Sequence, residues 1–400
     1  MDDRTARQRV AFFQSRRKGG TLATYLEQLE TPVPIVDMDR VAFNLDRMAA
    51  YATLHGLRLR PHVKTHKSPR IAAEQLRLGA IGMTCATLRE AEVMAEVCDD
   101  ILVAFPPVGA ARLERLARLP RDVRVTIAAD DAHALDALNV AARLGQRQFD
   151  VLVEADLGMH RVGVSSPERA VAIAQQIERA SALNFAGLMF YPGHIREAVD
   201  EQGAALAQLG ETIASYVTAL DAAGLPPRIV SGGSTPAAWR MHEVPLVNEV
   251  RPGTYVYNDR TTAMMGACDW EDCALTVLAT VVSVAVQGQA VIDAGTKALG
   301  REPLRAEGDG YGALLDHPEV VVSRMSEEHG ILDLSKTTWR PRLGDQVRVV
   351  PNHVCIVVHL FDEIIGVRGH AVETRWPVEA RGRGPALDEL AEGPSRPRAV

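Results

Sequence analysis

Arg60-Pro61-His62-Val63-Lys64-Thr65-His66-Lys67 gathers a lysine amine, two imidazoles and a second cation into one short stretch. The stretch follows an apolar run through Leu57 and Leu59, so Lys64 falls where a barrel strand would end, and barrel enzymes keep their chemistry there. With His62 and His66 two residues to either side and Lys67 three residues on, the Lys64 ammonium is expected to be destabilised. That would suit it to act as a Schiff-base nucleophile. A lone lysine in such a setting is more often part of a basic loop, so the other strand ends carry the argument.

Those ends belong to a regular alternation. Apolar runs near residues 57–63, 81–85, 101–105, 123–129, 149–154, 185–190, 228–231 and 246–250 read as strands. Stretches with helical spacing over 88–97, 132–144, 167–180 and 202–223 lie between them. Strand then helix, repeated about eight times, predicts a (β/α)8 TIM barrel over residues 38–256. A doubly wound open sheet is the rival, but no Gly-x-Gly-x-x-Gly turn follows the first strand. Beyond residue 256 the runs at 275–286, 290–293, 319–323, 346–350, 354–360, 364–367 and 371–376 predict a C-terminal mostly β domain. Residues 1–37 are expected to join it, and 379–400 to form a mobile tail.

The predicted strand ends share one rim. Lys64 follows the first strand, Asp156 to Arg161 the fifth, and Tyr191-Pro192-Gly193-His194 the sixth. Ser231-Gly232-Gly233-Ser234-Thr235 and Arg251-Pro252-Gly253-Thr254-Tyr255 follow the seventh and eighth. Two glycine-containing loops with hydroxyls after adjacent strands suit a phosphate, because glycine lets backbone N–H groups approach and Ser or Thr adds donors. An amine at one strand end and a phosphate cradle at others point to pyridoxal 5'-phosphate, whose aldehyde needs an amine.

Composition narrows the classes. The 400 residues are 47% hydrophobic and 24% charged with a net charge of -7, as in a globular protein with a large core. Net acidity argues against nucleic acid as a partner. No apolar stretch is long enough to span a bilayer, and Met1-Asp2-Asp3-Arg4 lacks a signal-peptide layout. Five scattered cysteines suit reduced thiols and a cytoplasmic location.

In these motifs the chain resembles the fold-type III pyridoxal phosphate enzymes, in particular the D-serine dehydratase and D-threonine aldolase branch. The likeness runs from about Thr31 to Gly382. It includes Gly233-Ser234-Thr235-Pro236, Pro252-Gly253-Thr254-Tyr255, Glu328-His329-Gly330 and Pro351-Asn352-His353-Val354-Cys355. The resemblance implies an alanine racemase-like barrel in which Lys64 links covalently to the cofactor and Arg161 bonds its phenolic oxygen. It also places Tyr191 beside the cofactor, and Gly233, Ser234, Thr235, Gly253, Thr254 and Tyr255 round its phosphate. Arg251 matches the arginine that alanine racemases set beside the pyridine nitrogen, which would leave that nitrogen unprotonated. The resemblance further implies a homodimer and a small D-amino acid as substrate.

His353 and Cys355, spaced i and i+2, would share a face of an extended strand and can hold a divalent metal. His359 would continue that face, and His329 is a possible neighbour. In the family such a pair resembles the metal ligands of zinc-dependent dehydratases. A thiolate selects zinc, with manganese or magnesium the alternatives. The expected reaction is loss of water and ammonia from a 3-hydroxy D-amino acid, as in a D-serine or 3-hydroxy-D-aspartate dehydratase. The alternative is retro-aldol cleavage to glycine and an aldehyde, for which Tyr191 and the Trp376-to-Gly382 ending speak. Its base would be His194 or Glu197; the aldolases place a histidine six residues beyond the tyrosine, where this chain has Glu197. An amino-acid racemase or a non-catalytic cofactor-binding protein are the remaining readings.

Overall fold

The computed structural model describes residues 25–385. They fall into two compact units, one built from residues 25–48, 196–199 and 254–378, the other from residues 49–195, 200–253 and 379–385. This division differs from the expected 38–256 boundary at both ends. Asn44 donates to the carbonyls of Val256 (3.3 Å) and Asp272 (2.9 Å), and Val199 N donates to Met265 O (2.8 Å). These bonds tie the first helical turns and a short excursion to the β unit.

After β1 (Val33–Asp37), which belongs to the β unit, come β2 (Arg58–Leu59), β3 (Met83–Cys85), β4 (Asp100–Val103), β5 (Arg124–Ala129), β6 (Phe149–Glu154), β7 (Leu183–Met189), β8 (Ile229–Gly232) and β9 (Glu249–Val250). β2 to β9 form one parallel eight-stranded sheet in the order β2-β9-β8-β7-β6-β5-β4-β3. It closes between its ends: Thr84 N donates to Pro61 O (2.8 Å), Ile81 N to Leu59 O (2.9 Å), and His62 bridges Thr84 in parallel. The first strand is shorter than its apolar run because Pro61 has no N–H to give the ladder.

Alternation along the strands separates the two faces. Val125, Ile127, Val151 and Val153 pack outward under the helices, whereas Leu102, Ala128, Leu152, Ala186 and Met189 form the inner cluster. In β6 this parity places Glu154 on the inner face, two residues beyond Leu152. The helices Ala132–Leu144, Pro167–Arg179 and Gly203–Ala222 cover the outside. Asp131 and Ser166 cap the first two through their side-chain oxygens.

Part of the expected tail belongs to the barrel. Ala380 is fully buried and its N–H donates to Lys67 O (3.1 Å), Arg89 donates to Glu379 O (2.8 Å), and Arg115 to Arg383 O (2.9 Å) and Gly384 O (3.1 Å). Ala380 joins the outer core of the barrel, a placement that composition does not reveal. Residues 1–24 and 386–400, part of the expected β-domain extension and tail, lie outside the described residues.

The β unit contains β10 (Leu275–Ser283), β11 (Gln289–Ile292), β12 (Gly312–Leu314), β13 (Val322–Met325), β14 (Gly330–Asp333), β15 (Gln346–Pro351), β16 (Glu363–Arg368) and β17 (Ala371–Pro377). They join β1 in a sheet ordered β13-β14-β11-β10-β1-β16-β17, with β15 pairing β10 and β12. Ile35, Leu278, Ile365 and Val367 form a core across its centre.

One expected strand is a helix. Val354–Leu360 is helical, with His353 at its N-cap, so the i, i+2 geometry assumed for His353 and Cys355 does not exist. Val354, Val357 and Val358 are the buried residues. That spacing is helical, and it overrides the β-branched composition. His359 falls in the last turn and does not continue a strand face. No helix among the described residues is long and apolar enough to cross a membrane.

Candidate active site

Lys64 lies in a 3-10 turn, Val63–Thr65, with His62 as its N-cap. The Lys64 N–H donates to His62 Nδ1 (3.4 Å). Among the described residues the Lys64 ammonium has no hydrogen bond or ion pair, and Nζ stands 5.8 Å from the centre of the Tyr191 ring. Its flanking groups carry less charge than their types suggest. Burial lowers His62 well below the usual imidazole range, aided by Lys64 and Arg251, and brings His66 down to about 3. Both are therefore neutral near pH 7. Lys67, the second cation, is buried in an ion pair with Glu90.

Tyr191 collects the neighbouring groups. The Arg161 guanidinium lies 5.0 Å from its ring centre, within cation–π reach. Arg161 closes a loop shaped by Asp156, whose Oδ1 accepts from Gly158 N (3.1 Å) and His160 N (2.9 Å) and whose Oδ2 meets His160 Nδ1 (3.0 Å). Burial raises the Asp156 carboxyl, but these bonds outweigh it and hold it low. Gly163 N donates to Asp130 (2.8 Å) at the loop's far end. His194 rests on the same loop, since a Cβ on Gly158 would sit 2.9 Å from its Nε2. His194 itself is exposed.

The expected phosphate loops have the required shape. Gly233 has a φ of 97°, which a side chain would disfavour. Ser234 caps the short helix Thr235–Ala238, its Oγ accepting from Ala237 N (3.4 Å). A Cβ on Gly253 would lie 2.9 Å from Thr65 Oγ1 and 3.0 Å from His62 O, so this loop is packed against the Lys64 turn. Thr254 and Tyr255 open the next turn, which belongs to the β unit, as does Glu197.

Arg251 is buried. It donates to Ser231 Oγ (2.5 Å) and Phe190 O (2.8 Å); Ser231 in turn donates to Glu249 (2.6 Å), and Arg60 bonds both Glu249 (3.2 Å) and Asp100 (2.6 Å). Burial lowers the Arg251 guanidinium to about 10, against the pull of Glu249 and Glu154. Glu154, absent from the expected site, is 3% exposed and its Oε2 has no hydrogen-bond partner. Burial raises its carboxyl to about 7, opposed by Arg251 and Arg161 and reinforced by Asp130. The signal was present in the sequence: alternation in Phe149–Glu154 aims a carboxylate inward at a strand's C-terminal end. An unpaired amine beside an aromatic face, two guanidiniums and two glycine loops fit an anionic aromatic aldehyde.

The second cluster lies wholly within the β unit. His353 Nδ1 bonds Asp259 Oδ2 (3.0 Å), which also accepts from Val354 N (3.2 Å); Asp259 Oδ1 caps the helix Arg260–Met264 through Thr262 N (2.9 Å). Fully buried Asp259 was missed by sequence reasoning, though Asn258-Asp259 before a Thr-rich run is a helix-start signal. Burial would lower the His353 imidazole, but Cys355 and Asp259 outweigh it and raise it well above its usual range. With Nδ1 held by a carboxylate, Nε2 is left as the ligand atom. Asn352 anchors the turn, donating to Gly310 O (2.8 Å) and Glu302 O (3.1 Å). No group of three His, Cys, Asp or Glu side chains suited to a metal occurs among the described residues. An imidazole and a thiol are donor types that suit a divalent metal such as zinc.

A closed parallel barrel with an unpaired lysine at a strand end, in a chain that also carries a mostly β unit, defines an alanine racemase-like pyridoxal phosphate enzyme. The chain belongs to the alanine racemase N-terminal domain family, matched over residues 36–261, and its putative serine dehydratase domain spans residues 274–367. It is 33% identical to a D-threonine aldolase of Arthrobacter sp over 365 residues, covering 89% of this chain and 94% of that protein. It is 36% identical to a D-threo-3-hydroxyaspartate dehydratase of Delftia sp. (strain HT23) over 349 residues, 82% of this chain and 91% of that protein. The crystal structure of D-threonine aldolase from Filomicrobium marinum superposes with a TM-score of 0.82 at 36% identity, covering 91% of this chain and 99% of that one.

Proposed function

We propose that the protein is a pyridoxal phosphate- and divalent-metal-dependent lyase acting on 3-hydroxy D-amino acids, with dehydration as its main reaction. The observation that carries this reading is the pairing of two features in one chain: an unpaired Lys64 facing Tyr191, and a His353–Cys355 pair oriented by Asp259. When bound, the cofactor would supply an electron sink at the substrate's α-carbon and the metal a Lewis acid toward its β-hydroxyl.

The chain's own residues would do the rest. Lys64 would hold the cofactor covalently and, once displaced by the substrate amine, take the α-proton as general base. Arg161 would donate to the phenolic oxygen, Tyr191 would pack beside the ring, and Arg251 would face the pyridine nitrogen. Gly233, Ser234, Thr235, Gly253, Thr254 and Tyr255 would enclose the phosphate. His353 Nε2 and the Cys355 thiolate would bind the metal, and the thiolate favours zinc over manganese or magnesium. We place the protein in the cytoplasm, as its five cysteines are free thiols, and expect a homodimer.

Zinc- and cofactor-loaded protein should release keto acid and ammonia from D-serine, D-threonine or 3-hydroxy-D-aspartate. Release of neither from any of them would refute the dehydratase reading. The aldolase reading rests on His194, whose ring leans on the loop carrying Arg161. Glycine plus an aldehyde from D-threonine, lost in His194→Ala, would favour it instead.

A further inference from the structure

A column of polar and charged side chains runs inside the barrel unit, where a parallel barrel is ordinarily filled by branched apolar residues. Ser231 stands two residues beyond Ile229, which packs on the inner cluster, and it pairs in register with Glu249 on β9. Ser231, Glu249, Arg60 and Arg251 are all buried. At one end Arg60 grips Asp100, the first residue of β4, through both terminal nitrogens (2.6 and 3.3 Å), and its Nε reaches Glu249 Oε2 (3.2 Å). A side chain on Gly82 would collide with that guanidinium. Glu249 Oε1 is left for Ser231.

Chemistry fixes the direction of the bonds at the other end. An ionised carboxylate only accepts, so the one hydroxyl proton of Ser231 goes to Glu249 (2.6 Å), and Ser231 Oγ can only accept from Arg251 Nη1 (2.5 Å). Phe190 O takes the Nη2 side (2.8 Å). Two of the five guanidinium N–H groups are thus engaged, which sets the plane of the Arg251 head group. Among the charged groups acting on Arg251, Glu249 does most to keep it protonated against burial. Packed apolar residues often match or exceed the stability of buried ions, so stability is a weak reason for the column.

We propose that Glu249, acting through Ser231, is a positioning residue for Arg251, holding its guanidinium as a charged donor toward the ring nitrogen of the cofactor. This rests on the proposed cofactor role of the barrel. The unengaged N–H groups of Arg251 would meet the lone pair of that nitrogen, so the relay matters only for a ring that has one.

The test compares two aldehydes on the full chain: pyridoxal 5'-phosphate, and its analogue with a ring C–H in place of the nitrogen. Dissociation constants are read from the absorbance change on uptake. Ser231→Ala and Glu249→Gln should each weaken pyridoxal phosphate about tenfold and change the analogue less than about twofold. Ser231→Thr, which keeps the hydroxyl, should retain the wild-type preference for pyridoxal phosphate. In Arg251→Gln that preference should already be gone, and adding Ser231→Ala should cost nothing further. Equal weakening of both aldehydes, or a further loss in the Arg251→Gln background, overturns the inference and leaves the column a purely structural device. Two variants of different chemistry keep the result independent of whether either one folds. A wild type that takes up neither aldehyde refutes the cofactor reading, and the inference with it; uptake with equal weakening refutes the inference alone.

Discussion

Glu154 enters the folded barrel with a carboxyl near 7, whereas an unfolded glutamate titrates near about 4.3. Between those values the folded state binds more protons than the unfolded chain, so this group lowers stability as pH rises from about 4.3 to 7. Above that window the penalty is complete, on the order of 3 kcal/mol. The melting temperature of Glu154→Gln, relative to wild type, should therefore climb between pH 5 and pH 8. A constant gap over that range would contradict the assignment. Asp259 acts on His353 through one bond. Asp259→Asn should weaken zinc binding about 10- to 100-fold, measured by titration with a competing chelator. Unchanged affinity would mean that the carboxylate does not orient the imidazole.

Loops and strands decide how much of this was legible. The Phe149–Glu154 strand and the Ala132–Leu144 helix have the bounds their periodicity implies, because apolar alternation and helical spacing are strong there. Lys64, Tyr191 and Arg161 were expected together and stand together. Val354–Leu360 misled, because Val and Ile favour strands while burial of Val354, Val357 and Val358 selects a helix. Asp259 and Glu154 went unseen for a different reason. Strand parity and a helix start marked their placement, but the groups each carboxylate faces across the fold are not carried by spacing along the chain. The Gly253 loop gives an element-level test. Gly253→Ala would press a methyl on Thr65 and His62 O, destabilising the protein by about 1–3 kcal/mol and weakening cofactor retention. A thermal scan and cofactor dialysis would check both, and wild-type retention would show that the loop can yield.

Taken as a whole, the chain carries Lys64 in its barrel unit and the proposed metal ligands His353 and Cys355 in its β unit. The proposed lyase needs both, so the two can be removed separately. His353→Ala should keep the lysine-linked absorbance and lose turnover, while Lys64→Ala should keep zinc and lose the absorbance. Loss of both properties in either variant would point to unfolding. The most direct measurement is borohydride reduction of the cofactor-loaded protein followed by peptide mass mapping. The pyridoxyl adduct is expected on the peptide containing Lys64 and on no other lysine. An adduct elsewhere, or a protein that takes up no cofactor, would contradict this.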